Sequence, residues 1–254
     1  TDFGYKSTKT GFSIGSSFEF YDDLFWNTGI SAYVEKLETE STASKSLKKQ
    51  EGSEFDTYFN QTFNYDKRNQ RHKPSGGYTS RFSQNIPLIS DTYTLTNAYN
   101  YKIYDQWLEE NIITFGFYLK STNSLNGKDV KLSDRLYLPA SKLRGFEAGK
   151  VGPKDGSSFI GGNYTSSVNI ATTLPQVLPN FQNTNFSLFL DAANIWGIDY
   201  SSSLPDDNKI RSSIGIAVDF YTPVGPLNFS LSETITKGKN DITEAFRFNL
   251  GTTF

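Results

Sequence analysis

Ser213-Ile214-Gly215-Ile216-Ala217-Val218-Asp219-Phe220 is the stretch whose reading decides the fold. Ile214, Ile216, Val218 and Phe220 fall on one parity, and Ser213, Gly215, Ala217 and Asp219 on the other, which is the period of an extended strand with one apolar face. The next two segments repeat it. Leu227, Phe229 and Leu231 oppose Asn228, Ser230 and Ser232, and Phe246, Phe248, Leu250 and Phe254 oppose Arg247, Asn249, Gly251 and Thr253. Towards the N-terminus, Phe12, Ile14, Phe18 and Phe20 share a parity, as do Trp26, Ile30, Ala32 and Val34, and then Phe55, Phe59 and Phe63. Further strands are predicted near Tyr78 to Ile86, Tyr93 to Tyr104, Ile112 to Lys120, Gly162 to Thr173 and Phe186 to Trp196, for about eleven strands in all and no convincing helix.

Composition narrows what such a chain can do. With 254 residues, no cysteine and one histidine, it excludes a disulfide scaffold, a thiolate or multi-histidine metal site and a cysteine nucleophile. No metal and no cofactor are expected, and a net charge of -2 gives no signature of nucleic-acid binding. Phe 21 and Tyr 15 are a strand-building vocabulary. A mean hydropathy of -0.49 and the lack of a long apolar run exclude a transmembrane helix. A membrane barrel stays open, because its strands need an apolar residue only at every second position.

A soluble sandwich alternates in the same way, so the connections have to discriminate. Short turns are predicted at Tyr21 to Asp23, Pro87 to Asp91 and Thr222 to Pro226, and long loops at Glu38 to Ser53, Thr122 to Ile160 and Gly197 to Lys209. Short turns at one end and long loops at the other are the habit of outer-membrane barrels. Slipping the final strand by one residue would turn Arg247 towards lipid, at a cost of roughly 2–4 kcal/mol near mid-membrane, so the register is strongly specified. Trp26, Trp107, Trp196, Tyr221 and Phe254, at strand ends, fit interfacial girdles. Eleven strands put the C-terminus at the short-turn end and Thr1 at the long-loop end. Complete bacterial barrels have an even strand number, so an odd number of upstream strands is expected to be missing. The start, Thr1-Asp2-Phe3-Gly4-Tyr5-Lys6, has neither the basic opening nor the apolar core of a signal peptide.

Five motifs occur in order along the chain. Asp66-Lys67-Arg68-Asn69 precedes Pro74-Ser75-Gly76-Gly77; Leu143-Arg144-Gly145-Phe146 leads to Gly152-Pro153-Lys154-Asp155; and Gly161-Gly162-Asn163, Phe189-Leu190-Asp191-Ala192-Ala193-Asn194-Ile195-Trp196 and Pro223-Val224-Gly225-Pro226-Leu227 follow. Together they resemble the barrel of the BamA family of outer-membrane protein assembly factors, in the superfamily that includes TamA and the two-partner-secretion translocators.

The resemblance implies an all-β, antiparallel transmembrane barrel in the bacterial outer membrane. Residues 1–254 would be the C-terminal portion of a 16-stranded barrel, with a long inward-folding loop at about 122–160 and with upstream strands and periplasmic domains absent. It implies a lumenal motif of Leu143, Arg144, Gly145, Phe146, Gly152 and Pro153, with Arg144 paired to Asp191. Strand parity agrees, since Phe186, Leu188 and Leu190 share one face and Asp191 takes the other. Two departures weaken the expected hold on the loop. Ala171 stands where relatives often carry a second lumenal acid, and Pro139-Ala140-Ser141 stands where many have paired glycines.

Phe246, Phe248, Leu250, Gly251 and Phe254 fit an outer-membrane targeting signal. In the resembling family this strand also forms the seam at which client strands pair. The implied function is assembly of outer-membrane proteins, with outer-membrane lipids, unfolded clients and accessory lipoproteins as partners. The alternative is a polypeptide-secretion pore of the same superfamily. An embedded enzyme is disfavoured because His72, the only histidine, sits among Arg68, Arg71 and Lys73. A passive porin is disfavoured because the inward loop would occlude its lumen.

Overall fold

The computed structural model describes residues 5–71, 73–108, 111–175, 184–206, 208–222 and 225–250. Its elements are β1 (Tyr5–Tyr21), β2 (Leu24–Thr39), the one-turn helix α1 (Lys45–Lys48), β3 (Gly52–Asp66), β4 (Gly77–Ser90), β5 (Thr94–Leu108), β6 (Asn111–Ser124), β7 (Lys154–Asp155), β8 (Ser158–Phe159), β9 (Tyr164–Thr173), β10 (Thr184–Trp196), β11 (Arg211–Thr222), β12 (Gly225–Thr236) and β13 (Phe246–Leu250). Eleven of the strands form one sheet in chain order, with β6 beside β9 because β7 and β8 pair only with each other inside the intervening loop. The ladders between neighbours in this sheet are antiparallel.

The period-2 pattern acts here in the sense opposite to a soluble protein. Leu188, Leu190, Ile214, Ile216, Leu231, Phe246 and Phe248 are 41–61% exposed on the outer face, whereas Asp191, Arg211, Ser213, Asn228 and Ser230 are buried on the inner one. A sandwich would bury the apolar parity; this sheet presents it outwards, as a barrel wall does to lipid. Across strands the outer face is continuous, through Ile14 opposite Ile30, Ile30 opposite Phe59 and Phe59 opposite Ile86. Trp26, at the short-turn end, stacks on Phe63 with ring centroids 5.7 Å apart. Trp107 at the same end is exposed, and Trp196 at the other end stacks on Tyr164.

The predicted split of connections needs one correction. Pro87 to Ser90 of the expected turn are strand, because β4 runs on to Ser90. Its true turn, at residues 91–93, lies at the same end as the long loops. Proline is tolerated in a strand at a bulge, and Pro87 faces Tyr58 beside a register shift between Asp56 and Tyr58. Beyond the bulge, Asp56 accepts from Thr92 Oγ1 at 2.9 Å and from Ser90 Oγ, which keeps the strand end in place. Conversely, the longer connection at residues 67–76 belongs to the short-turn end. There Arg68 holds Asp66 through Nε at 2.9 Å and Nη2 at 2.7 Å.

Ile216, in the middle of β11, gives the test of this orientation. Ile216→Arg should lower folding stability in lipid vesicles by about 2–4 kcal/mol, measured by urea titration. A change within about 0.5 kcal/mol would mean that this parity does not face lipid.

Candidate functional site

The connection between β6 and β9 turns inwards and packs on the inner face of the sheet. Leu138, Leu143, Phe146 and Val151 of the loop form a buried cluster with Ala193 and Ile195 of β10. A second cluster, Leu37, Leu47, Leu132 and Ile160, closes the long-loop end, with α1 contributing Leu47. The inner face around the loop is polar, so the loop's position is set by directed bonds.

Arg144 makes the strongest of these. Its Nε donates to Asp191 Oδ2 and its Nη2 to Asp191 Oδ1, both at 2.7 Å, and its backbone N–H reaches Oδ2 at 3.1 Å. Asn169 Nδ2, from β9, donates to Oδ1 at 2.8 Å and also to the Lys142 carbonyl at 3.0 Å. An ionised carboxylate has about four lone-pair sites. Asp191 therefore has its capacity met by Arg144 and Asn169 together, in full burial. The guanidinium lies 3.5 Å above the Phe189 ring, which adds a cation–π contact on its flat side. Arg fits here because its fork is planar and fixed, and a lysine could not make both bonds in this geometry.

The backbone around Arg144 requires glycine. Gly145 has φ +85°, and a Cβ there would lie 3.1 Å from the side chains of both Ser213 and Ser232. Gly152 has φ +101°, and its Cβ would come within 2.5 Å of Ile195 Cγ2. Pro153 is buried, and its carbonyl accepts from the Ile160 N–H at 3.1 Å.

Leu143, Arg144, Gly145, Phe146, Gly152, Pro153 and Asp191 are thus all brought together. On β13, Phe246, Phe248 and Leu250 face outwards, while Gly251 and Phe254 lie outside the described residues. So does His72. The loss of an anchor expected from Ala171 needs correction, because the side chain beside Asp191 in the β9–β10 ladder is Asn169, two residues away on the same face.

Three further anchors were missed from sequence. Arg211 Nε donates to Asp241 Oδ2 at 2.9 Å in full burial, and Asp241 also accepts from the Gly152 N–H at 2.9 Å. Arg135 pairs with Asp199 and lies over the Tyr200 ring. Lys131 stands among Glu35 at 2.7 Å, Glu54 at 3.0 Å and Asp56 at 3.2 Å. Burial alone would lower the Lys131 pKa, but the carboxylates of Asp134, Glu35 and Asp56 hold it well above the ordinary lysine value. Parity would have turned Arg211 inwards with Ser213; the other anchors lie in loops with no period to read.

Between the loop and the short-turn end lies a cavity of about 270 Å³, lined by Arg68, Lys102, Tyr104, Arg144, Asp219 and Asn228 among others. Among the described residues no group of three or more His, Cys, Asp or Glu could hold a metal. What the site offers is mechanical: a loop clamped by buried ion pairs to several strands at once.

A model of the Omp85 superfamily domain matches residues 2–254. The chain belongs to the Omp85 superfamily. The outer membrane protein assembly factor BamA of Neorickettsia risticii (strain Illinois) is 23% identical to it over 264 residues, covering 98% of this chain and 34% of that protein. The crystal structure of BamA from Haemophilus ducreyi lacking POTRA domains 1–3 superposes with a TM-score of 0.81 and 26% identity, over 96% of this chain and 54% of that one. CdiB from Acinetobacter baumannii shares the fold at a TM-score of 0.61 and 12% identity, over 97% of this chain and 42% of that one. The Omp85 chain therefore spans about a third of its Neorickettsia relative. Its bacterial relatives place it in the outer membrane.

Three substitutions probe the clamp. Removing one partner of a buried ion pair costs about 3–5 kcal/mol, so Arg144→Ala should lower the temperature at which the folded band is lost in heat-modified gels and should open the loop to trypsin. Arg144→Lys should recover less than half of that loss. Gly152→Ala, strained in φ and crowded by Ile195, should cost on the order of 1–3 kcal/mol in the same assay. Unchanged proteolysis in all three would mean that the clamp does not hold the loop.

Proposed function

We propose that the chain is the C-terminal part of the barrel of an outer-membrane protein assembly factor, and that upstream strands and periplasmic domains come from the rest of a longer protein. One observation carries the reading. The inner face is occupied by a loop clamped to Asp191. A loop fixed across the lumen obstructs passage through it, which moves the work to the wall, where a strand edge can template another strand. Work on a client then takes place at the wall, by strand addition next to Phe246, Phe248 and Leu250, with outer-membrane lipid on the far side.

The clients are unfolded outer-membrane proteins, accessory lipoproteins dock on the upstream domains, and no covalent step is involved. Similarity across nearly the whole chain to a protein named as an outer membrane protein assembly factor supports this reading. The alternative, a polypeptide-secretion pore, is compatible with the fold shared with CdiB. It would require the loop to leave the lumen and break the pairs of Arg135 and Arg144 and the bond from the Gly152 N–H to Asp241.

The full-length protein in proteoliposomes should accelerate folding of a urea-denatured outer-membrane barrel, followed by gel shift, and residues 1–254 alone should not. Lack of acceleration, combined with release of a polypeptide across the vesicle wall, would favour the secretion pore.

A further inference from the structure

The loop is tied to the end of the sheet as well as to β10. Among the described residues, β13 pairs with β12 through Phe246–Leu250 against Leu227–Leu231. Above that ladder the Ser232 N–H still donates to the Ala245 carbonyl at 2.8 Å, and beyond it residues 242–244 bond to the loop. The Glu147 N–H donates to the Ile242 carbonyl at 2.9 Å, the Ile242 N–H to the Lys150 carbonyl at 3.0 Å, and the Glu244 N–H to the Gly145 carbonyl at 3.1 Å. Phe146 and Thr243 form an antiparallel bridge between the same two segments.

Arg247 completes the connection from within β13. Its neighbours Phe246 and Phe248 face outwards, and Arg247 points inwards at 7% exposure. Its Nη1 donates to the Ala140 carbonyl at 3.1 Å, its Nη2 to the Phe146 carbonyl, and its Nε to Glu244 Oε2 at 2.8 Å. Ala140 and Phe146 flank Arg144 in the chain, so the Arg247 fork finds both acceptors only when the loop adopts the conformation that the Arg144–Asp191 pair fixes. A buried guanidinium stripped of its partners is strongly unfavourable, so β13 and the loop resist moving independently.

We infer that Arg247 is a positioning residue that couples the lumenal loop to the last strand, so that the state of the Arg144–Asp191 clamp sets the position and mobility of the β13 edge. The coupling itself rests on geometry alone; its consequence for client insertion rests on the assembly function proposed above.

Hydrogen–deuterium exchange on the full-length protein in lipid nanodiscs separates the two. Arg247→Ala should speed exchange across residues 246–250 and 145–150 by about tenfold or more, leaving β9 and β10 protected. Arg247→Lys, which keeps the charge without the fork, should lie between. The discriminating variant is Arg144→Ala, which removes the fork to Asp191 on β10 yet should also speed exchange at residues 246–250. Should Arg247→Ala fail to fold, Arg247→Lys and Arg144→Ala still carry the comparison. Unchanged exchange at β13 in the folded Arg144→Ala protein, with the loop itself loosened, would overturn the coupling. Client folding by these variants should slow several-fold in the same order. An unaltered protein without client-folding activity would remove the assembly reading and leave the exchange result standing.

Discussion

Everything in this chain depends on one constraint: a wall that meets lipid must turn its apolar parity outwards, which leaves a polar inner face. Here the outward residues include Leu188, Leu190, Ile214 and Ile216, and the inward ones include Asp191, Arg211, Ser213 and Asn228. A loop entering such a lumen finds little apolar surface to lie on. Its hydrophobic contacts are confined to small clusters around Phe146 and Leu132. Buried charge has to supply the rest, and the forked bond from Arg144 to Asp191 is the best-formed example, with both partners covered and Asp191 saturated by donors.

The other anchors follow the same logic at other heights. Lys131 reaches acids on β2 and β3, Arg135 and Arg144 reach Asp199 and Asp191, and Gly152 shares Asp241 with Arg211. Lys131 and Arg144 join the loop to strands far apart in the sheet, and Asp199 and Asp241 tie it to neighbouring connections, so the loop acts as an internal brace. Replacing buried ion pairs with apolar residues is often neutral or stabilising in a soluble core. That route is poorly open here, because every apolar residue added to the inner parity weakens the distinction that fixes strand register.

Much of the fold was legible because the side-chain period of a strand is local. Eleven strands, their outward parity and the inward direction of Asp191 could be read residue by residue. The pairing of Arg144 with Asp191 was not; it came from resemblance, since no local pattern links two residues on different elements. Pro87 was misread as a turn because its missing N–H matters only if a partner needs it, and the bulge opposite Tyr58 removes that need. Asn169 was passed over in favour of Ala171 because parity cannot choose between two positions on one face. Only the β9–β10 register, Asn169 opposite Asp191, does so. Arg247 was read as a register marker that must avoid lipid, which is true, but its acceptors Ala140 and Phe146 lie in a loop whose path no periodicity reveals.

The two ends of the sheet carry that difference between local and distant bonding furthest. β1 is held to β2 by a ladder running from Tyr5 opposite Thr39 to Tyr21 opposite Leu24, a local zipper that needs no help from the interior. β13 has a described ladder of only Phe246–Leu250, and its upper end is fixed by bonds from the loop. Soluble proteins blunt an exposed edge with charge, proline or a covering element on the edge itself. Here the bonds come from the lumenal side, so they fix β13 without using the edge opposite β12. Under the assembly function proposed above, a strand anchored from behind keeps that edge available to another strand, and Arg247 is the side chain that ties the strand to the loop.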